Sequence, residues 1–177
     1  MTEHHDTSAA DPVRVTDDPA EVEKVREMIE KADIAMVTTV DSSAPHPRLT
    51  SRPLSTQRAQ DGADVLFLTR RDSAFARDIQ ANPHVNVAYA STGSWISLAG
   101  TAAIVDDRAL VEELWSKGAD MFMDGGPENP DNIVVRVSGD TAEYWGGKGL
   151  IGGAVSMIRA MTGNKGDEPS ATVVELP

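Results

Sequence analysis

Apolar residues recur along this chain with two different periods. In "DDPAEVEKVREMIEKA" (17–32), Val22, Val25, Ile29 and Ala32 are spaced three and four apart, which predicts one buried stripe on a helix. Asp17 or Asp18 can cap that helix, and Pro19 suits its first turn. From residue 34 a strand-like pattern takes over. "IAMVTTV" (34–40) is a β-branched run that predicts a buried strand. "RLTSRPLSTQ" (48–57) predicts a second, in which Pro53 demands an edge position or a bulge because it has no N–H for a ladder. "QDGAD" (60–64) reads as a hairpin turn leading into "VLFLT" (65–69). "HVNVAYA" (84–90) alternates, and after a "TGS" turn "WISLAGTAAIVD" (95–106) is a long strand. Gly100 inside it suggests a bulge or the close approach of another group. "NIVVRVS" and "TAEYWGG" predict two more strands around a turn at Gly139-Asp140.

Between the strands, "RRDSAFARDIQANP" predicts a short helix capped by Asp72 or Ser73 and ending near Asn82-Pro83. "DDRALVEELWSKG" (106–118) predicts a single helix with Leu110, Leu114 and Trp115 on one side, followed by a loop at 124–131. "LIGGAVSMIRAMTG" (150–163) is a candidate last helix. Residues 1–16 and 164–177 read as tails, with "ATVVEL" near the end readable as a minor strand or as tail, so one domain is expected over 17–163. Strands joined by tight turns imply antiparallel pairing, and six or so of them with few helices predict a small, mainly β barrel with flanking helices.

Composition narrows the function classes. The chain has 177 residues, 40% of them hydrophobic, enough to bury a core without disulfides or metals. It has no cysteine, which removes disulfides, thiolate metal sites and cysteine nucleophiles. A net charge of −12 argues against general nucleic-acid binding, which depends on Lys and Arg at phosphates. No apolar run approaches transmembrane length, and the first residues lack the pattern of a signal peptide, so a cytoplasmic protein away from membranes is the expectation. His4, His5, His46 and His84 show no ligand spacing, so no metal site is expected. GxxxxGK[ST], HExxH and GxSxG are all absent, and no catalytic residue is assigned.

Against that acidic background, "TRRDSAFARDI" (69–79) concentrates Arg70, Arg71 and Arg77 around a helix start. A strand ending in Thr69, with Ser73 and free helix amides beyond it, can cradle an anion. Equally, Ser73 can simply cap the helix while the arginines pair with Asp72 and Asp78. Arg48 and Arg52 lie four apart on one face of the preceding strand, and register decides whether they approach Thr69.

Taken in order, "SRPLSTQ", "VLFLTRRDS", "ANPHVNVAY", "WISLAGTAAIVDDRALVEELW", "GGPENPDNIVVRV" and "AEYWGG" resemble the general stress protein 26 branch of the pyridoxamine 5′-phosphate oxidase-like family, over about residues 20–163. The resemblance implies a six-stranded antiparallel split β-barrel that binds FMN and forms a homodimer with flavin at the subunit interface. By position it implies that Ser51, Arg52, Pro53 and Leu54 lie along the isoalloxazine ring. Phe67, Leu68 and Thr69 would lie beside the ribityl phosphate, and Ser73 would contact it. Trp95 and Trp145 would be near the ring, and Trp115 and Phe122 would line the pocket from the partner subunit. Core packing is the alternative for the tryptophans.

The family commonly has a phosphate-pairing lysine two residues after the serine, but here that residue is Phe75, so Arg70, Arg71 or Arg77 would have to replace it or flavin binding would be weak. After Trp145 the chain reads "GGKGLIGGAVS", without the Arg- and His-rich substrate signature of true pyridoxamine-phosphate oxidases. The expectation is a flavin-dependent oxidoreductase of unknown substrate. FAD or the deazaflavin F420 is the alternative cofactor, and a cofactor-free dimeric stress-protection module is the non-enzymatic alternative.

Overall fold

The computed structural model describes residues 13–59, 64–91, 94–146 and 171–176. Helix α1 (Pro19–Glu30) starts where Asp18 accepts the Ala20 amide, and it buries Val25 and Ile29. Strand β2 (Ile34–Val40) turns Ala35, Val37 and Thr39 inward and leaves Ile34 and Met36 outward. Strands β3 (Leu49–Ala59) and β4 (Val65–Arg70) follow. Helix α2 (Ala74–Ala81) is capped by Ser73 and stops at Asn82, as Pro83 requires. Then come β5 (His84–Ser91), β6 (Ser94–Val105), the short helices α3 (Arg108–Leu114) and α4 (Lys117–Phe122), and β7 (Asn132–Gly146).

The sheet runs β7-β4-β3-β2-β5-β6 and closes because β6 also pairs with β7, giving a six-stranded barrel with every pairing antiparallel. Its interior holds Val37, Phe67, Val87, Leu98, Val135 and Val137, with Ile29 of α1 and Phe75 of α2 joining the same cluster. Each such fully buried side chain contributes about 1.5–3 kcal/mol. A smaller cluster of Leu66, Val111, Leu114 and Val134 fixes α3 to the outside of β4 and β7.

Four features depart from the sequence pattern. Residues 132–146 form one strand, not two around a turn. Gly139-Asp140 is instead a bulge: Ala99 pairs with Thr141 and Gly100 with Gly139, leaving Asp140 as the extra residue. Gly100 is there for the close approach its position suggested, since a Cβ on it would lie 2.1 Å from the Ser138 carbonyl oxygen. The expected helix over 106–118 breaks at Trp115, whose backbone is extended, and Ser116 caps a new one. Residues 13–16, expected within the tail, form strand β1 (Val13–Thr16), paired in parallel with β8 (Ala171–Glu175). β8 in turn lies antiparallel on β7, so the C-terminal segment is a strand. The expected tail at 1–12, the turns at 60–63 and 92–93, and the helix at 150–163 lie outside the described residues.

The barrel is split between β3 and β4. β3 takes no β4 partner before Thr56, while β4 beyond Phe67 pairs only with β7. The Thr56 amide bonds the Asp33 carbonyl, and the Asp41 amide bonds the Arg48 carbonyl. Even-numbered residues of this stretch therefore direct their backbone groups toward β2, and Ser51 and Pro53 direct theirs into the gap. Pro53 sits where a missing N–H breaks no ladder, on the edge its chemistry demanded. Among the described residues no helix is long and apolar enough to cross a membrane, and no cluster of His, Asp and Glu is placed to hold a metal ion.

Candidate functional site

The turn from β4 into α2 brings two hydroxyls together, with Thr69 Oγ1 and Ser73 Oγ 3.2 Å apart. Ser73 Oγ also accepts the Ala76 amide at 3.0 Å, so it does cap the helix. The amides at the very start of α2 have no acceptor within the helix and point toward the same spot. Around this point the arginines are engaged. Arg70 makes a bidentate pair with Asp72 at 2.9 and 3.0 Å, with Asp124 3.9 Å from its other nitrogen. Arg71 pairs with Asp106, and Arg77 donates to the Asp72 carbonyl oxygen. The hydrogen bond from Arg70 holds the Asp72 carboxyl below its ordinary range, and the bond from Arg71 does the same to Asp106. Anion and cation are already matched here, so an incoming phosphate must displace or share partners.

The second cationic pair divides. Arg48 reaches back to Asp41 at the β2–β3 turn. Arg52 points inward, where Nη2 donates to Asp78 Oδ2 at 2.7 Å and Nη1 to Thr39 Oγ1 at 2.8 Å. Asp78 is 2% exposed. Its carboxylate also accepts the Thr39 hydroxyl at 3.0 Å, the Ser42 amide at 2.9 Å and the Ser42 hydroxyl at 2.8 Å. Burial pushes this carboxyl up, but the bonds from Ser42, Arg52 and Thr39 outweigh it and hold it below the usual range. Asp78 thus pairs with Arg52 across the fold, not with the neighbouring helix arginines. Its signal in the sequence is a carboxylate on the buried stripe of α2, between Phe75 and Ile79, which demands a buried cation.

The remaining site candidates are scattered. Ser51 and Pro53 face outward at the gap, and Ser51 Oγ lies 2.8 Å from Thr38 Oγ1. Leu54 is half-buried against the core, Phe67 is fully buried inside the barrel, and Leu68 packs on the outer cluster. Trp95 is 51% exposed and stands opposite Trp145 on the outer face. By the chain of pairings from β3 through β2 and β5 to β6, Trp95 is three strand spacings from the gap, about 14 Å. Trp115 packs on the outer cluster and donates its indole N–H to Asp120 at 2.7 Å. Phe122 is 84% exposed beside the equally bare Met121. One chain therefore gathers Ser51–Leu54, Thr69 and Ser73 around the gap and leaves the aromatic candidates outside it.

Residues 20–167 match the family described as "Pyridoxamine 5'-phosphate oxidase like". The chain belongs to this family. Protein bli-3 of Neurospora crassa is 36% identical to it over 121 residues, which make up 62% of this chain and 57% of the fungal protein. The chain thus spans little more than half the length of that relative. The structure of general stress protein 26 from Bacillus anthracis superposes with a TM-score of 0.62 at 22% identity, covering 70% of this chain and 92% of that one. The general stress FMN/FAD binding protein of Xanthomonas citri superposes with a TM-score of 0.60 at 20% identity, covering 73% and 91%. These likenesses show the split-barrel fold.

In this pyridoxamine 5′-phosphate oxidase-like chain the residue at the expected lysine position, Phe75, is 2% exposed and packs into the core. That position faces the barrel interior here, so a cation would not fit there. The outer face of the barrel is unusual in a different way. Charged residues make up 25% of the chain, yet the outward positions of β2, β5 and the first halves of β3 and β6 carry no Asp, Glu, Lys or Arg. Pro53, Met36, Ala88 and Ser97 form one cross-strand row, and Ser51, Thr38, Asn86 and Ala99 another.

Proposed function

We propose that the protein is a flavin-dependent oxidoreductase that binds FMN along the gap between β3 and β4, as a homodimer joined through the charge-free outer face. The observation that carries this reading is the gap itself, with the Ser51–Pro53 backbone edge on one side and Thr69, Ser73 and the start of α2 on the other. The donor set fits the group. The unpaired Ser51 N–H and the Ser51 and Pro53 carbonyls match the mixed donor and acceptor edge of an isoalloxazine. The hydroxyls and free helix amides suit a phosphate. The Arg70–Asp72 and Arg71–Asp106 pairs lie exposed, where such pairs are weak and their cations can turn to a better anion. A bound flavin supplies the redox chemistry, and this chain's residues bind it, orient it and keep competitors away. The name of the Xanthomonas citri relative supports a flavin, FMN or FAD.

What supports the homodimer is chemistry that one chain leaves unused. Ile34, Met36, Leu49 and Trp95 are large apolar residues exposed on the same uncharged face. A second copy would cover them and could bring its own aromatics, Phe122 among them, toward the gap.

Fluorescence titration with FMN, FAD and F420 side by side tests the cofactor, and light scattering tests the assembly. The expected result is saturable binding with FMN preferred and the mass of a dimer. Absence of binding at high FMN concentration would overturn the flavin reading. Trp95→Glu is expected to yield monomers and to weaken flavin binding at least tenfold, about 1.4 kcal/mol. A Trp95→Glu protein that stays dimeric would place the interface elsewhere. The engaged arginines and the buried Phe75 favour a second reading, a cofactor-free dimeric stress-protection module, which retained dimerisation without flavin binding would support.

A further inference from the structure

We propose that Asp78 is a positioning residue of the flavin cleft: by holding Arg52 it fixes the ring-side edge of β3 relative to the phosphate-side start of α2. The inference rests on the flavin reading above and deepens it. The first half of β3 is hydrogen-bonded on one side only, so no ladder sets its distance from β4 or from the helix that β4 leads into. The Asp78 cluster replaces that missing ladder. From α2 the carboxylate takes bonds from Thr39 on β2, from the amide and hydroxyl of Ser42 in the β2–β3 turn, and from Arg52 on β3. Asp78 lies five residues beyond Ser73, about 7.5 Å along the helix axis, so any tilt of α2 about this anchor moves the Ser73 hydroxyl relative to Thr69 on β4.

The same contacts exclude other roles. A carboxylate has about four acceptor positions, and the four bonds above occupy them, which leaves Asp78 no capacity as a base or a ligand. Arg52 has one terminal guanidinium nitrogen on Asp78 and the other on Thr39, so its charge is already matched by a buried carboxylate. Its part in the site is to carry tension from α2 to the backbone of residues 51–54.

The test compares FMN with riboflavin, which has the ring and ribityl chain but no phosphate. Both are titrated into the wild type, Asp78→Asn and Thr39→Val, with thermal melts recorded for each. If Asp78 sets the spacing, FMN must satisfy two anchors that no longer match, whereas riboflavin needs only one. Asp78→Asn is expected to lose about tenfold in FMN affinity and less than about threefold for riboflavin, so the FMN-to-riboflavin preference falls. Thr39→Val keeps the ion pair but removes the hydroxyl that bridges it, and it should lower the preference by about two- to threefold. It decides the matter alone if Asp78→Asn does not fold. A merely structural residue would lower both affinities equally, so an unchanged preference overturns the proposal. A preference that rises would also overturn it, by revealing Arg52 as a phosphate ligand that Asp78 restrains. A wild type that binds neither compound sinks the flavin reading itself, whereas normal wild-type binding with unchanged preferences sinks only the role of Asp78.

Discussion

Asp78→Ala is expected to lower the unfolding free energy by about 3–5 kcal/mol, a large part of the stability of a single domain. The cost comes from what remains. Arg52 stays half-buried with its charge uncompensated, and Thr39 and Ser42 lose their acceptor. Urea denaturation followed by tryptophan fluorescence measures it. Arg70→Ala is the contrast, because the exposed Arg70–Asp72 pair should contribute no more than about 1 kcal/mol. Equal effects of the two substitutions would mean that the inner cluster holds nothing together. The contribution of Asp78 also has a pH window. Its folded carboxyl titrates below the ordinary value, so its stabilisation is complete above about pH 4 and is lost as the pH falls through the lower folded value. The gap between wild type and Asp78→Ala should therefore narrow only in strong acid.

Gly100→Ala is expected to cost about 3 kcal/mol, although it adds a single methyl group. That methyl would lie 2.1 Å from the Ser138 carbonyl oxygen and 3.0 Å from the Gly139 Cα, all backbone with no side chain to swing away. The clash falls on the β6–β7 seam that closes the barrel, so either the bulge opens or the strands part. Gly118→Ala is the control: the new carbon would sit 3.5 Å from Ser116 Oγ inside helix α4, where alanine is the better helix former. Thermal melts of the two variants should move in opposite directions. A Gly100→Ala protein with the wild-type midpoint would show that the seam has slack.

The strands were legible wherever one face alternates against a core, as in 34–40 and 84–91, because burial and local propensity agree there. The caps of α1 and α2 were legible to within one residue, as Asp17 or Asp18 and as Asp72 or Ser73, because capping is chemistry within three residues. What escaped was set by distant partners. Gly139-Asp140 has the composition of a turn, and only the approach of Gly100 from β6 makes it a bulge. β1 and β8 are too short to stand alone: β8 exists because β7 offers it a ladder, and β1 because β8 offers it another. Ion-pair choice failed in the same way. Nothing near Arg71 in the sequence selects Asp106, thirty-five residues away, and nothing local selects Arg52 for Asp78, twenty-six away. The positions around the gap could be named from the motif, but which way Arg52 points could not.

The half-paired strand β3 carries a hazard as well as a site. A strand edge left open for a small molecule is equally open to another protein's strand, and such edges seed aggregation and swapped assemblies. Two residues here make that intrusion costly. Pro53 removes a donor in the middle of the open edge, so a foreign strand would meet a break in the ladder. Arg52, with its charge turned inward and held by Asp78, cannot be dragged out into a flat new sheet without leaving that buried carboxylate without its cation. The "SRPL" stretch thus keeps the edge accessible to a ligand and closed to a strand.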